Sequence, residues 1–168
     1  NVIMGYQASV GGTGARTQSV AIGYRAWGNG GSANNLGGSE NVFIGAESGG
    51  GTWATGASDG NTAVGWNTMK GAMNAAGLNT AVGKSALGAL TEGDNNVAVG
   101  ASALASLTTG SKNIAIGFDA GKAITTANRN IAIGYEALTS DTQGSKTVAV
   151  GAGALAVQNF TTATDVYN

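Results

Sequence analysis

The phrases Val-Ala-Val-Gly and Ile-Ala-Ile-Gly return along the chain at an almost fixed interval. Their closing glycines are Gly5, Gly23, Gly45, Gly65, Gly83, Gly100, Gly117, Gly134 and Gly151, and the last five of them are evenly spaced. Self-similarity at so short a period marks a solenoid, in which each unit buries its apolar face only against its neighbours. Nine copies fill residues 1–168, so the chain reads as a single repeat array with no second domain.

Within each copy the residue three before the glycine is branched: Val20, Val42, Thr62, Thr80, Val97, Ile114, Ile131 or Val148. The residue one before it is Ile22, Ile44, Val64, Val82, Val99, Ile116, Ile133 or Val150. Between them stand Ala21, Ala63, Ala81, Ala98, Ala115, Ala132 and Ala149, with Ile3 and Phe43 as exceptions. Branched and small residues alternating with period two predict a short strand with the large side chains on one face and the alanines on the other. A 17-residue coil supplies about four large apolar side chains, a marginal core for one thin roll. The expectation is therefore that the branched face fills the roll. The alanine face, at Ala81, Ala98, Ala115, Ala132 and Ala149, would then meet partner chains, because a solvated face would as readily carry Ser, Thr, Lys or Asn.

After the glycine comes a second apolar segment, as in "KSALGAL" and "ASALASL", with Leu87, Leu104, Leu138 and Leu155 four residues on. It reads as a second short strand, and a polar turn closes the coil. Stacking such coils puts Asn41, Asn61, Asn79, Asn96, Asn113 and Asn130 in one column, where side-chain amides can form a ladder at the ~4.8 Å strand spacing. Thr91, Thr108, Thr125 and Thr142 form a second column. Lys112, Arg129 and Lys146 form a third, which marks an exposed edge because buried like charges repel. Two other repeat architectures fail. A hexapeptide β-helix needs an aliphatic residue where Gly88, Ala105, Lys122 and Thr139 stand, and a repeat this short cannot hold a helix pair.

Composition narrows the function. With no His and no Cys, the chain has no Ser-His-Asp triad, no thiol nucleophile and no His- or Cys-ligated metal site. The "VGKSAL" stretch lacks the earlier glycine of a phosphate loop, and Glu92 and Asp94 read as a solvated turn, so neither an enzyme nor a cofactor or metal is expected. The net charge of −1, with charges scattered along the chain, carries no footprint for nucleic acid. Apolar runs of only a few residues predict no membrane insertion. The chain starts inside a repeat, at "NVIMG", and is read as a segment of a longer fibre.

The stretches "SVAIGYRA", "NTAVGKSAL", "NIAIGFDAG" and "NIAIGYEAL" resemble the repeats of trimeric autotransporter adhesin heads and of phage fibre proteins. The resemblance implies an all-β, left-handed parallel β-roll of about nine 17–22-residue coils, assembled as an intertwined or side-by-side homotrimer. It further implies a non-enzymatic structural or attachment protein on a virion or cell surface. Its partners would be a host-surface glycan or protein receptor and other fibre or virion components. The 17-residue period and the Ala-Leu after the glycine depart from many adhesin heads and favour a tail or capsid fibre of a phage or virus-like particle. The head of a bacterial adhesin is the alternative, followed by an ice-binding solenoid suggested by the Thr column and a polysaccharide-degrading tailspike.

Recognition residues are sought among the aromatics. Tyr6, Tyr24, Trp66, Phe118 and Tyr135 directly follow a repeat glycine, at a position that also accepts Lys84. Trp27 and Trp53 lie in the two expanded intervals, where an indole can either serve as a glycan platform or pin a glycine-rich loop. The candidate recognition set is Trp27, Trp53, Trp66 and Tyr24.

Overall fold

The computed structural model describes residues 1–9, 16–28, 38–52, 56 and 58–165. Among these residues thirteen short strands follow one another: β1 (Val2–Met4), β2 (Arg16–Thr17), β3 (Val20–Ile22), β4 (Gly38–Ser39), β5 (Val42–Ile44), β6 (Thr62–Val64), β7 (Thr80–Val82), β8 (Val97–Val99), β9 (Ile114–Ile116), β10 (Ile131–Ile133), β11 (Gly144–Ser145), β12 (Val148–Val150) and β13 (Thr164–Asp165). Nine of them make one sheet in the order β1-β3-β5-β6-β7-β8-β9-β10-β12, every pair parallel. Parallel neighbours that return once in every repeat are successive turns of a solenoid, and nine strands enclose about eight turns. No helix occurs among the described residues.

Register follows the repeat phrase. Ala98 pairs with Ala115 and Ala115 with Ala132, so equivalent residues stack in straight columns. The repeat glycines stack too, at a corner where the backbone takes φ of +133° at Gly100 and +138° at Gly117. A Cβ on Gly100 would lie 2.3 Å from the carbonyl oxygen of Gly117, so conformation and contact both demand glycine there.

The two faces of the sheet are the reverse of the sequence expectation. Ala21, Ala63, Ala81, Ala98, Ala115, Ala132 and Ala149 point into the roll and are buried, while the branched residues on either side point outward. Ala81, Ala98, Ala115, Ala132 and Ala149 therefore line the interior of their own chain and are not available to partner chains. The cause lies on the opposite wall. Leu87, Leu90, Leu104, Leu107, Ile124 and Leu138 come from the segment after the glycine, are fully buried, and fill the narrow cross-section, leaving room on the sheet only for a methyl group.

That wall is not a second strand as expected, but a run of turns. Ala86 N–H donates to Gly83 O, Gly88 N–H to Ser85 O and Leu90 N–H to Leu87 O within the coil. The intervening Leu87 and Ala89 N–H groups donate to Ala103 O and Ala105 O of the next coil. Local and inter-coil bonds thus alternate, and every backbone donor of the run is used. This geometry puts non-glycine residues in the left-handed region, among them Ser85 at φ 58° and Leu87 at 49°, and Ser102 and Leu104 repeat those values one coil later.

The predicted asparagine ladder is present and buried. The Asn96 amide nitrogen donates to Asn79 Oδ1 at 3.0 Å and to Gly110 O at 2.9 Å, and the Asn96 backbone N–H donates to the same Oδ1 at 2.9 Å. Asn113 repeats the pattern on Asn96. Each amide therefore ties its own strand to the preceding rung and to the closing turn of the following coil. Net worth is modest per bond, but leaving such buried groups unpaired is costly, which holds the column to Asn through six coils. Near the C-terminal end, Asp141 takes the interior place occupied by Leu90, Leu107 and Ile124 in other coils. Its carboxylate accepts from Gly144 N–H, Phe160 N–H and Gln158 Nε2 at 2.9–3.1 Å.

Candidate recognition surface

The solenoid offers its surroundings three columns, each fixed by the coil geometry. The first is the outer face of the nine-stranded sheet. Val2, Val82, Val99, Ile114, Ile116, Val148 and Val150 are exposed there, from 36% at Val99 and Ile114 to 64% at Val150, and the remaining branched residues are half-buried. Alternation dictates this, because a strand that sends alanine inward must send its neighbours outward. An apolar strip running the length of the sheet is more than scattered surface hydrophobes and marks an interaction face.

The second column follows the glycine corner, and the structure keeps it on the surface as expected. Tyr6, Tyr24, Trp66, Phe118 and Tyr135 are all exposed. Because equivalent positions stack, neighbouring rings meet face to face: Tyr6 and Tyr24 lie 5.8 Å apart at 9°, and Phe118 and Tyr135 lie 5.5 Å apart at 13°. Where the neighbour is a cation, the pairing changes kind. Lys84 Nζ sits 5.1 Å from the Trp66 ring centre, and the Arg25 guanidinium 5.1 Å from that of Tyr24, while Arg25 Nε donates to Gln7 Oε1. Beside the second ring pair, the hydrogen bond to Glu136 and that carboxylate's charge hold the Tyr135 phenol above its ordinary pKa.

Of the candidate recognition residues, Trp66 and Tyr24 thus belong to this exposed column. Trp27 does not. It is fully buried against Phe43, ring centres 5.8 Å apart and tilted by 39°, and so serves as core. Trp53 lies outside the described residues. The burial of Trp27 had a sequence signal. Phe43 breaks an alanine column and Gly49 breaks the column that holds Leu87 and Leu104, and these exceptions fall in adjacent coils with Trp27.

The third column is basic, comprising exposed Lys112 and Arg129 and half-buried Lys146. The threonine column is spent internally: Thr91, Thr108 and Thr125 hydroxyls donate to Thr108 O, Thr125 O and Thr142 O at 3.0–3.1 Å. Among the described residues no three acidic side chains converge to hold a metal ion, and no helix is long and apolar enough to cross a membrane. Comparison with known protein families, with curated proteins and with solved structures finds no match for this chain.

Proposed function

We propose that this chain is a non-catalytic segment of a trimeric fibre, carried by a phage or virus-like particle, that presents or contacts a host surface. The observation that carries this reading is the outer sheet face, where the column before the glycine is aliphatic from Ile22 to Val150 and its neighbour is broken only by Thr62 and Thr80, in a chain whose own core is already filled by alanine and leucine. Three copies of a left-handed roll, set around a common axis with these faces inward, would bury the strip along its whole length. Closed rotational symmetry uses the same surface of every copy and leaves no strip over. The exposed aromatic column then remains at the corner of each roll as the attachment platform, through rings such as Trp66 and Tyr24. Stacked rings beside carboxylate and amide groups suit the apolar face of a sugar.

Sedimentation analysis tests the assembly. The expected particle has three times the 16.3 kDa chain mass. Changing Val99 and Ile116 to Glu should give monomers that keep their β circular dichroism, since neither side chain belongs to the core. Monomers in the unaltered chain, or trimers in the double variant, would overturn the reading. Trp66→Ala should weaken attachment to host cells without changing the mass. Release of oligosaccharides from host glycans would contradict the non-catalytic assignment.

A further inference from the structure

A groove of about 310 Å³ runs along the C-terminal coils, lined by Ser111, Lys112, Asn128, Arg129, Ser145, Lys146 and Asp165. Its composition follows from two adjacent columns, cations in one and short polar side chains in the other. Lys112, Arg129 and Lys146 share the left-handed backbone, with φ of 62°, 59° and 61°, so successive coils present their side chains from equivalent backbone positions. At the strand spacing the first and third cations start about 10 Å apart along the axis.

Three like charges stacked this way repel, and one is already answered from within the chain. Lys146 forms an ion pair with Asp165, which reaches the groove because Asp165 pairs with Ser145 in the β11–β13 ladder. Among the described residues neither Lys112 nor Arg129 forms an ion pair. The nearest acid in the adjoining column, Asp94, points the other way along the stack, its Oδ1 accepting from Gly77 N–H at 2.7 Å.

The polar column adds donors. Ser111 Oγ accepts from Asp94 N–H and Ser145 Oγ accepts from Asn128 N–H, both at 3.0 Å. Each hydroxyl has thus used an acceptor site and keeps its hydrogen to give. The groove therefore holds two uncompensated cations flanked by hydroxyl donors, and beside them a carboxylate bound to the third cation.

We infer that this groove binds an acidic polysaccharide through carboxylates spaced along its chain, with Arg129 and Lys112 continuing the pairing that Asp165 makes with Lys146. Arg129 offers the planar fork that fits a carboxylate with two parallel bonds, and Lys112 a compact charge one coil away. A linear polymer suits a groove whose charges repeat along one axis. Duplex nucleic acid fits poorly, because the chain as a whole carries a net charge of −1 and supplies no extended basic field. The inference deepens the attachment reading and rests on it for the class of ligand.

The test uses the intact chain and measures calorimetric binding of polygalacturonate, with neutral dextran, dextran sulfate and duplex DNA as comparisons. The variant is Lys112→Asn with Arg129→Asn, because Asn95 occupies the same column at φ 58° and asparagine tolerates that conformation. Polygalacturonate should bind with an affinity that falls as salt rises, dextran should not bind, and the double variant should lose about tenfold, as expected for two exposed charge pairs. Asp165→Asn should strengthen binding by freeing Lys146. Equal affinity of the double variant, or variant-sensitive binding of DNA or dextran sulfate at least as tight as that of polygalacturonate, would overturn the proposal. So would a changed assembly mass in the double variant, since the column would then be a contact between subunits. A monomeric chain that binds polygalacturonate through Lys112 and Arg129 would sink the trimeric fibre and leave the groove standing, whereas a trimer without that binding would sink the groove alone.

Discussion

The coils that end at Gly100, Gly117, Gly134 and Gly151 keep one constant spacing and are filled mainly by alanine from the sheet against leucine or isoleucine from the turn wall, with Gly121 standing in the column of Leu87 and Leu104 in one coil and Asp141 in that of Leu90 and Leu107 in the next. The coils around Gly23, Gly45 and Gly65 enclose a similar roll with other contents: Trp27, Phe43, Met69 and Met73. The register of the sheet is unbroken between them, since Ala21 pairs with Phe43 and Phe43 with Ala63. What the two halves share is the register, while the side chains enclosed differ. Where Phe43 replaces alanine, Gly49 stands in the column of Leu87 and Leu104, and a Cβ on Gly49 would come within 2.6 Å of the Phe43 ring. In this coil the bulk stands on the sheet and not on the turn wall, and the register of the sheet is kept.

The two halves differ most at the Phe43–Gly49 pair. Phe43→Ala should cost about 3–5 kcal/mol through the cavity it leaves. Gly49→Leu alone should also destabilise, because the new side chain meets the ring, although its backbone conformation at φ 61° is one that Leu87 and Leu104 already adopt. Together they convert the coil to the regular recipe and should be less destabilised than their sum, with a coupling of about 0.5–3 kcal/mol. Thermal and denaturant melts of the four proteins measure it, and strict additivity would show that the two positions do not share one space.

A smaller effect separates the two faces of a regular coil. Ala98→Leu forces extra bulk into a filled interior and should cost about 1–3 kcal/mol. The neighbouring Val99→Leu, at a 36% exposed position, should change the stability of a dissociated chain by no more than about 0.5 kcal/mol. Equal costs at the two positions would mean that the outer face is as tightly enclosed as the inner one.

The smallest expected effect is at the aromatic column, in the regular half. Tyr135 has its pKa raised by the hydrogen bond and charge of Glu136, so its neutral form is the one favoured in the folded chain. Any stabilisation from that contact is complete below the ordinary tyrosine pKa and disappears as pH rises through the raised folded value. Glu136→Gln removes the charge and should lower the Tyr135 titration midpoint, read from tyrosinate absorbance. Tyr24, beside Arg25, is the internal control, and a shift of equal size there would assign the effect to the global field.

The period, the strands and the columns are all legible in the order of residues. Branched-small-branched before glycine specifies a short strand, its nine returns specify a stack of coils, and the spacing of asparagine specifies an amide ladder, whose burial the structure added. Each of these is a local pattern repeated, and repetition makes it legible. Which side of the strand faces inward was not legible, because alternation is symmetric: it separates Ala98 from Val97 and Val99 without saying which is enclosed. The tertiary structure decided it through residues remote in the coil, where Leu104 and Leu107 already fill a cross-section too narrow for valine as well. The same holds for the turn wall. Alanine and leucine read as strand there, yet the wall closes by bonds that alternate between its own coil and the next, a pattern that forces Leu104 to a φ of 49° and exists only once the coils are stacked. Trp27 belongs to the same wall: it stands four residues after Gly23, where Leu87 and Leu104 stand in their coils, and it takes their φ of 49°, which carries the indole into the core.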